Sequence, residues 1–394
     1  MHGYPNEEGE SMSTRSGIPR GVAVAIDDLL DNCAEIESGQ EVVLLAHVDG
    51  LYGGDNLVDE QAIAWIQAAI QHRGANASVL WIDEPVRPHA WRIPPVVRAA
   101  LEACDVFINH SFDLTREEFR LNEIAVEHDT RLVRNFATTA PLLSTAWAQT
   151  PWELLAQIRH QASILFEAQK PFQLTDPNGT HLEGIIAPPS RKTSYASGRK
   201  EGHSYRPFPE WMFPPIDIAD TSGIFIFDRM LSWWSRYIGV PPVFKDPIRL
   251  TIEKNRIKKI EGKEEAMRLK QFLAFVEAKV GDGVYNFPAI HSGIHPNAEV
   301  GLHQCSNPLY RRLIEHSQAS TVHAHIGATP STPQYPYWLH ITGDIRSATW
   351  RVGGVLVHDK GRLTALDHPD VLAVAAKYPD RPGIPANSNN LADR

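Results

Sequence analysis

The sequence predicts two domains, an α/β N-terminal domain with a parallel sheet and an α+β C-terminal domain whose strands are mostly antiparallel. At 394 residues the chain is longer than one hydrophobic core usually supports. Apolar strand-like runs alternate with helix-like segments in the first half, whereas short strands and turns dominate the second. We therefore expect a disordered N-terminus at residues 1–20, the α/β domain at 21–187, the α+β domain at 188–378 and a tail at 379–394.

The first half shows strands followed by helices. An apolar run at 41–47 predicts a buried strand, and residues 57–72 place Ile63, Ile66 and Ile70 at helical spacing. The same alternation continues with strands at 77–82, 105–109 and 131–135, and with helices at 96–103, 115–127 and 152–169. Strands joined through helices predict a parallel sheet with right-handed crossovers.

The second half is predicted to contain mainly short strands and turns. A turn at 175–180 predicts a hairpin between strands at 171–174 and 181–186. Residues 188–215, rich in proline, glycine and arginine, predict the loop between the domains. Further elements are predicted as strands at 223–228, 248–253, 256–261, 323–327, 337–341, 350–357 and 362–365, and as a helix at 264–281.

Composition and charge exclude several classes of protein. The formal net charge of −9 argues against a nucleic-acid partner. No apolar stretch approaches the length of a membrane span, and the N-terminus lacks the apolar segment of a secretory signal. The three cysteines are far apart in the sequence, which favours the reducing cytoplasm without a disulfide framework.

A glycine-rich loop follows the first strand, but it does not indicate a nucleotide site. Gly50, Gly53 and Gly54 lack the G-x-G-x-x-G spacing, and no lysine with serine or threonine follows them to hold phosphate. We expect this loop to shape the domain edge or an oligomer contact.

Histidines are concentrated in the C-terminal half. The window 291–340 holds seven of the eighteen: His291, His295, His303, His316, His323, His325 and His340. Clustered neutral imidazoles are typical of a transition-metal site. The α+β domain is therefore predicted to bind a metal.

Four segments carry the candidate ligands and nearby acids. They are Phe208-Pro209-Glu210-Trp211, the loop with His291 and His295, the strand with His323 and His325, and the segment with His340 and Asp344. Side chains at i and i+2 lie on one face of a strand, so His323 and His325 can both reach one ion.

These segments resemble the aminopeptidase T-type metallopeptidases and their relatives, 2,5-dihydroxypyridine 5,6-dioxygenase and 5-nitroanthranilate aminohydrolase. The resemblance spans roughly residues 25–370 and implies a metal bound by His291, His323, His340 and Glu210. Arg346 matches an arginine of the dioxygenase branch. Where the family has His-x-Asp, this chain has Thr342, so His325, Asp344 or Glu210 is expected to replace the missing carboxylate.

The resemblance implies a metal-dependent aromatic aminohydrolase in which a metal-bound hydroxide displaces the amine of a small aromatic acid such as 5-nitroanthranilate. One manganese, zinc, iron or cobalt ion would be bound mainly by histidines, an arrangement that acidifies a bound water. Glu210, His325 and Asp344 are the expected catalytic residues. The carboxylate substrate would be held by residues of the flanking segments, namely Arg346, Tyr205, Trp211 and Arg206.

Three other functions stay open at this point. An iron(II)-dependent dioxygenase cleaving a dihydroxypyridine ring is the first alternative, and a broad-specificity metalloaminopeptidase is the second. A scaffold that has lost catalysis is the third, and Thr342 is the residue that suggests it. The family resemblance also implies a homo-oligomer, a dimer or larger.

Overall fold

The computed structural model describes residues 17–47, 58–82, 93–110, 116–188, 206–210, 216–329, 334–335 and 339–386, with the backbone alone at 116–120, 233 and 328. One sheet is parallel and has five strands; the other is largely antiparallel and has eleven. The predicted fold class is confirmed. None of the helices in these ranges is both long enough and apolar enough to cross a bilayer.

The parallel sheet has the strand order β2-β1-β3-β4-β7. Its strands are β1 Glu41–His47, β2 Asn76–Ile82, β3 Val106–Asn109, β4 Arg131–Asn135 and β7 Arg206–Phe208. The first four match the predicted strands to within one residue. The fifth comes from the segment predicted to be the loop between the domains, and it pairs with β4 from Val133 to Asn135.

Helices cover both faces of this sheet. The first seven are α1 Arg20–Asp27, α2 Glu60–His72, α3 Pro95–Ala103, α4 Arg116–Glu127, α5 Ala140–Leu143, α6 Ala146–Gln149 and α7 Trp152–Ser163. Ile66 of α2 packs in the same buried cluster as Leu44 of β1, while Leu101 of α3 packs in a second cluster with Leu45. Successive side chains of a strand point to opposite faces, so α2 and α3 lie on opposite sides of the sheet.

The larger sheet follows the order β11-β12-β13-β8-β6-β5-β14-β15-β16, and β9 joins it through β8 and carries β10. Its strands are β5 Pro171–Thr175, β6 His181–Ile186, β8 Ile216–Met230, β9 Val243–Glu253, β10 Arg256–Glu261, β11 Ala289–Ser292, β12 Val322–Thr329, β13 Leu339–Ile345, β14 Thr349–Val352, β15 Val355–Asp359 and β16 Arg362–Leu363. The chain passes between the two sheets more than once. It forms the hairpin β5–β6 of the larger sheet before residue 187, then adds β7 to the parallel sheet, and returns to the larger sheet at β8.

Four more helices accompany the larger sheet: α8 Ser232–Ile238, α9 Glu264–Val280, α10 Pro308–His316 and α11 Pro369–Ala376. Helix α10 begins at a clear signal, because the Asn307 side chain accepts hydrogen bonds from the backbone N–H groups of Leu309 and Tyr310, and Pro308 is its first residue. The Tyr310 hydroxyl donates to the Phe136 carbonyl at 2.5 Å. Helix α10 is thereby joined to the segment that follows β4.

The first part of the predicted C-terminal tail packs against the N-terminal half. The Arg381 guanidinium lies 2.8 Å from the Asp28 carboxylate and also donates to the Gln149 carbonyl. Asp28 is 3% exposed and begins a π-helical turn, Asp28–Cys33. A buried carboxylate needs such a partner, and Arg381 supplies it.

Candidate metal centre

Three adjacent antiparallel strands present polar side chains on one face. His291 of β11 lies opposite His323 of β12, which lies opposite Asp344 of β13. In the same ladder His325 lies opposite Thr342. Directly opposed residues of antiparallel strands project to the same side. The strand register therefore gathers these five side chains.

A further imidazole comes from the end of α10. His316 is its last residue, and its ring centroid lies 3.5 Å from that of His323 and 6.5 Å from that of His291. One ring nitrogen from each of His291, His316 and His323 lies within 4.8 Å of the others. We call these three residues the three-imidazole group. Their exposure is 3%, 1% and 0%.

The close approach of α10 to β11 depends on a glycine. A Cβ atom at Gly293 would lie 2.3 Å from the carbonyl carbon of Ser317, the residue after α10. This separation is far below any real contact of a Cβ atom. Glycine therefore lets the backbone after His291 lie against the backbone after His316.

A buried carboxylate sets the proton positions in the group. Asp344 accepts hydrogen bonds from the Arg312 guanidinium and, at 2.8 Å, from Nδ1 of His316. With its Nδ1 protonated, a neutral His316 has a lone pair on Nε2, which lies 2.6 Å from Nδ1 of His323. Nδ1 of His323 is then the donor, and Nε2 of His323 is left as a lone pair.

Burial favours the neutral form of His316, His323 and His325. The pKa of His316 and that of His323 are lowered well below 6.5, first because burial removes the charged form from water and second because Arg312 or a neighbouring histidine is near. The pKa of His325 is also lowered well below 6.5, again mainly by burial. Neutral imidazole is the form that binds a metal.

Within the part of the chain that the structure describes, three buried polar atoms of these strands lack a hydrogen-bond partner. They are Nε2 of His323, Oγ1 of Thr342 and Oδ1 of Asp344. Each such atom costs about 1–3 kcal/mol when left unsatisfied. The unpartnered nitrogen of His323 lies in the three-imidazole group, and imidazole nitrogens suit a transition-metal ion, so these three residues fit a divalent ion.

Two more histidines, His325 and His340, lie next to the three-imidazole group. Nε2 of His325 lies 2.9 Å from Nε2 of His291, so one of these two nitrogens carries the shared proton. The ring of His340 is 5.9 Å from that of His325 and also packs edge-on against Trp234. His340 is partly exposed, whereas His325 is buried.

The structure brings two of the four predicted ligands into the three-imidazole group. His291 and His323 are members, whereas His340 lies beyond His325. Glu210 is also outside the group: its carboxylate lies 3.4 Å from the Arg159 guanidinium, at the end of β7. Because β7 pairs with β4, it carries Glu210 to the edge of the parallel sheet.

The other predicted site residues have these positions. Arg206 is paired with Glu35 at 2.9 Å, and Arg346 with Glu315 at 2.9 Å. Burial lowers the pKa of Arg346 to about 10. Tyr205 and Trp211 lie outside the described residues.

Two residues of the site were not assigned roles from the sequence. His316 belongs to the histidine cluster but is not among the predicted ligands, and Arg312 is not among the predicted site residues. Their spacing, four residues apart near the end of a helix, places both side chains on one face and is the signal that points to them. Asn307-Pro308 marks the start of that helix.

Comparison with known proteins bears on the fold. No protein-family model matches the chain, and no curated protein matches it. Among solved structures, 2,5-dihydroxypyridine dioxygenase from Pseudomonas putida KT2440 matches with a TM-score of 0.58 and 14% identity, over 88% of this chain and 98% of that one. A ureidoglycine-glyoxylate aminotransferase from Bacillus subtilis matches over 31% of this chain and 27% of that one, with 12% identity and a TM-score of 0.18, which is too low to indicate a shared fold. The chain therefore shares the fold of the dioxygenase, and an identity of 14% shows nothing beyond the fold.

Proposed function

We propose that the protein is a metal-dependent aminohydrolase that replaces the ring amine of a small aromatic acid, such as 5-nitroanthranilate, with a hydroxyl group from water and releases ammonia. The observation that carries the proposal is the convergence of three buried imidazoles, with an unpartnered nitrogen at Nε2 of His323. A divalent ion held there would supply Lewis acidity for activating water.

The donor set favours hydrolysis over oxidation. His291, His316 and His323 would hold the ion, and no carboxylate belongs to this group within the described residues. Binding through Nε2 of His316 would replace the hydrogen bond that this nitrogen accepts from Nδ1 of His323. Three histidines hold the zinc ion of carbonic anhydrase, which activates a bound water as the nucleophile. Non-haem iron oxygenases instead use two histidines and one carboxylate. The carboxylate of Asp344 lies behind His316, in an orienting position.

Asp344 and Arg312 position the ligands. The bond from Nδ1 of His316 to Asp344 fixes the tautomer, and Arg312 holds the carboxylate in place. Carboxylates that orient metal-binding histidines raise their basicity and contribute about 10- to 100-fold to metal affinity. Asp344 thus acts through His316 and does not itself need to touch the substrate.

His325 is placed to move a proton. It shares one with His291 across 2.9 Å, and His340 lies next to it toward solvent. The departing amine must gain a proton, and the attacking water must lose one. A neutral buried imidazole next to a partly exposed one would pass protons between the site and water.

The substrate carboxylate has a candidate partner in Arg346. Its guanidinium contacts Glu315, and Glu315 lies on α10 next to His316. An arriving carboxylate would compete with Glu315 for this guanidinium. As further proposals, Tyr205 and Trp211 would flank the aromatic ring, and the chain would assemble as a homo-oligomer.

The direct test uses the full chain, stripped of metal with a chelator and reloaded with zinc, manganese, cobalt or iron(II). We expect one ion per chain by calorimetry and, with 5-nitroanthranilate, release of ammonia and 5-nitrosalicylate in equal amounts. His323→Gln should weaken metal binding by more than the ~100-fold upper value for an orienting residue. Failure of every metal to bind would refute the site, and binding without ammonia release would refute the reaction.

The matched control for His323→Gln is the same substitution at another histidine of the window 291–340. His303 is exposed and lies outside the three-imidazole group. His303→Gln should therefore bind metal and release ammonia like the unchanged protein. Equal effects of His303→Gln and His323→Gln would contradict the ligand assignment.

The fold match supports a second candidate, an iron(II)-dependent dioxygenase acting on a dihydroxypyridine. The same reloaded protein distinguishes it. Oxygen uptake with 2,5-dihydroxypyridine, seen with iron(II) and not with zinc, would favour the dioxygenase. Ammonia release that is independent of oxygen would favour the aminohydrolase.

A further inference from the structure

Two ion pairs of unequal burial join α10 to the end of β13. Arg312, Glu315 and His316 are three and four residues apart on the helix, so they share one of its faces. The inner pair, Arg312 with Asp344, has side chains that are 2% and 0% exposed. The outer pair, Glu315 with Arg346, has side chains that are 31% and 13% exposed. A solute can therefore reach the outer pair, whereas the inner pair is closed to it.

The outer pair lies beside the three-imidazole group. Glu315 directly precedes His316 on α10, and Arg346 follows Asp344 by two residues, just past the end of β13. Alternate residues of an extended chain point to one side. The contacts agree with this, because Asp344 and Arg346 both reach α10, the first through His316 and the second through Glu315. A molecule held by Arg346 would thus lie close to a proposed metal ligand.

Positive charge is concentrated around Glu315. Its Oε2 lies 2.9 Å from a terminal nitrogen of Arg346 and 3.9 Å from one of Arg312. Arg229 of β8 lies opposite Asp344 of β13 and projects to the same side of the sheet. Burial and then the charge of Arg229 lower the pKa of Arg346 to about 10, whereas Glu315 acts in the opposite direction. Guanidinium groups gathered in this way suit a carboxylate.

The outer pair is the one that can exchange its carboxylate. Arg229 is held by the adjacent Asp228 at 3.0 Å, and Arg312 by the fully buried Asp344. Opening a buried pair leaves an uncompensated charge away from water and is strongly unfavourable. A half-exposed pair such as Glu315 with Arg346 is screened by water, and a released Glu315 carboxylate can be hydrated.

We propose that Glu315 is a specificity-determining residue, whose carboxylate occupies the place on Arg346 that the carboxylate of an aromatic acid takes. The inference rests on the proposed function, which assigns the substrate carboxylate to Arg346. A planar carboxylate can replace Glu315 with two parallel hydrogen bonds to the guanidinium. An uncharged ring offers no such exchange and leaves the pair closed. Glu315 thereby selects aromatic acids over uncharged aromatic amines.

The experiment measures the affinity of benzoate, and of its uncharged counterpart benzamide, for the full chain by calorimetry. Both ligands are titrated with zinc bound and again after chelation. Glu315→Gln removes the internal competitor, so benzoate should bind about fivefold more tightly. This corresponds to about 1 kcal/mol, the upper value for an exposed ion pair. Benzamide should bind as it does to the unchanged protein.

Two further variants separate displacement from a general change of charge. Glu102→Gln is the matched control, because Glu102 pairs with Arg98 at 3.2 Å on α3 and its side chain is 34% exposed. It removes the same charge elsewhere and should leave both affinities unchanged. Arg346→Gln should weaken benzoate binding, and adding Glu315→Gln to it should give no tightening, since the two side chains act as a pair.

Several results would overturn the proposal. Benzoate that binds Glu315→Gln no more tightly than the unchanged protein is the first, and benzoate that binds neither protein is the second. Equal tightening of benzoate and benzamide, or tightening that persists without Arg346, would also overturn it. Failure of the proposed function has a different signature, the absence of metal binding or of ammonia release, and the benzoate comparison after chelation still decides the role of Glu315.

Discussion

Replacing His295 should remove much of the acid sensitivity that this residue gives the fold. His295 is fully buried; its Nε2 lies 3.0 Å from the Trp147 carbonyl, and its Nδ1 accepts the N–H of Asn297 at 3.1 Å. Both contacts are satisfied by the neutral ring with its proton on Nε2. A second proton on Nδ1 would break the bond from Asn297, so the site opposes the charged form.

The size of the effect follows from the pKa. Burial lowers the pKa of His295 from 6.5 to about 3. Between these two values the unfolded chain binds a proton that the folded chain does not, so stability is full above pH 6.5 and is lost as the pH falls toward 3. pH 5 lies 1.5 units below the ordinary pKa of 6.5. At about 1.36 kcal/mol per unit, the neutral His295 therefore costs the fold about 2 kcal/mol of unfolding free energy at pH 5.

The assay is urea unfolding of the unchanged protein and of His295→Gln at pH 8 and pH 5, followed by tryptophan fluorescence. Glutamine keeps an N–H donor for the Trp147 carbonyl and cannot titrate. The loss of unfolding free energy from pH 8 to pH 5 should be about 2 kcal/mol smaller in His295→Gln. Other buried histidines, such as His358 with a pKa lowered to about 3, contribute equally to both proteins and cancel.

The control is His181→Gln, because the His181 side chain is 57% exposed. That variant should show the pH dependence of the unchanged protein. The same pH dependence in His295→Gln would refute the reasoning. A ring resonance of His295 that titrates near pH 6.5 in the folded protein would refute it directly.

The contacts around the three-imidazole group predict the effects of three more substitutions. Asp344→Asn should weaken zinc binding about 10- to 100-fold in a zinc titration, because the tautomer of the adjacent histidine is no longer fixed. Gly293→Ala should lower the free energy of unfolding by about 1–3 kcal/mol in urea, since its methyl group would lie 2.3 Å from the backbone after α10. Gly383→Ala, where no atom lies within 4 Å of the new methyl group, is its neutral control. Tyr310→Phe should cost about 1–3 kcal/mol, measured by thermal unfolding, because the buried carbonyl of Phe136 loses a donor.

Each of these expectations has a contrary result. Unchanged zinc affinity in Asp344→Asn would mean that the carboxylate does not orient a ligand. Equal stability of the two glycine variants would mean that the backbone after α10 adjusts at no cost. A fully stable Tyr310→Phe would mean that another donor satisfies the carbonyl.

The parallel sheet is the part of the fold that the sequence predicts well. Its strands are short apolar runs bounded by turn residues, and the helix after β1 carries isoleucines at helical spacing, so local patterns identify both. Strand β7 was missed because it is three residues long, contains Pro207 and depends on pairing with β4. A strand of three residues is too short to show a hydrophobic pattern in the local sequence.

The candidate site, too, could be predicted only in part from the sequence. The His323-x-His325 spacing predicts a shared strand face, and the register bears this out by placing both side chains in the ladder with Asp344 and Thr342. His316 reaches His323 only because α10 packs over β11, a contact set by tertiary structure. The predicted roles of Glu210 and His340 came from a family resemblance, and the three-imidazole group contains neither residue.

The β12–β13 ladder has a consequence for how the chain tolerates change. Pairing is regular from Val322 to Ile326, and the register shifts only between Ile326 and Thr329, past the last imidazole of β12. Irregular pairing at that place can take up a longer or shorter connection between the two strands. Insertions and deletions in that connection should therefore leave His323 and His325 facing their partners, and related chains can vary in length there while keeping the same chemistry.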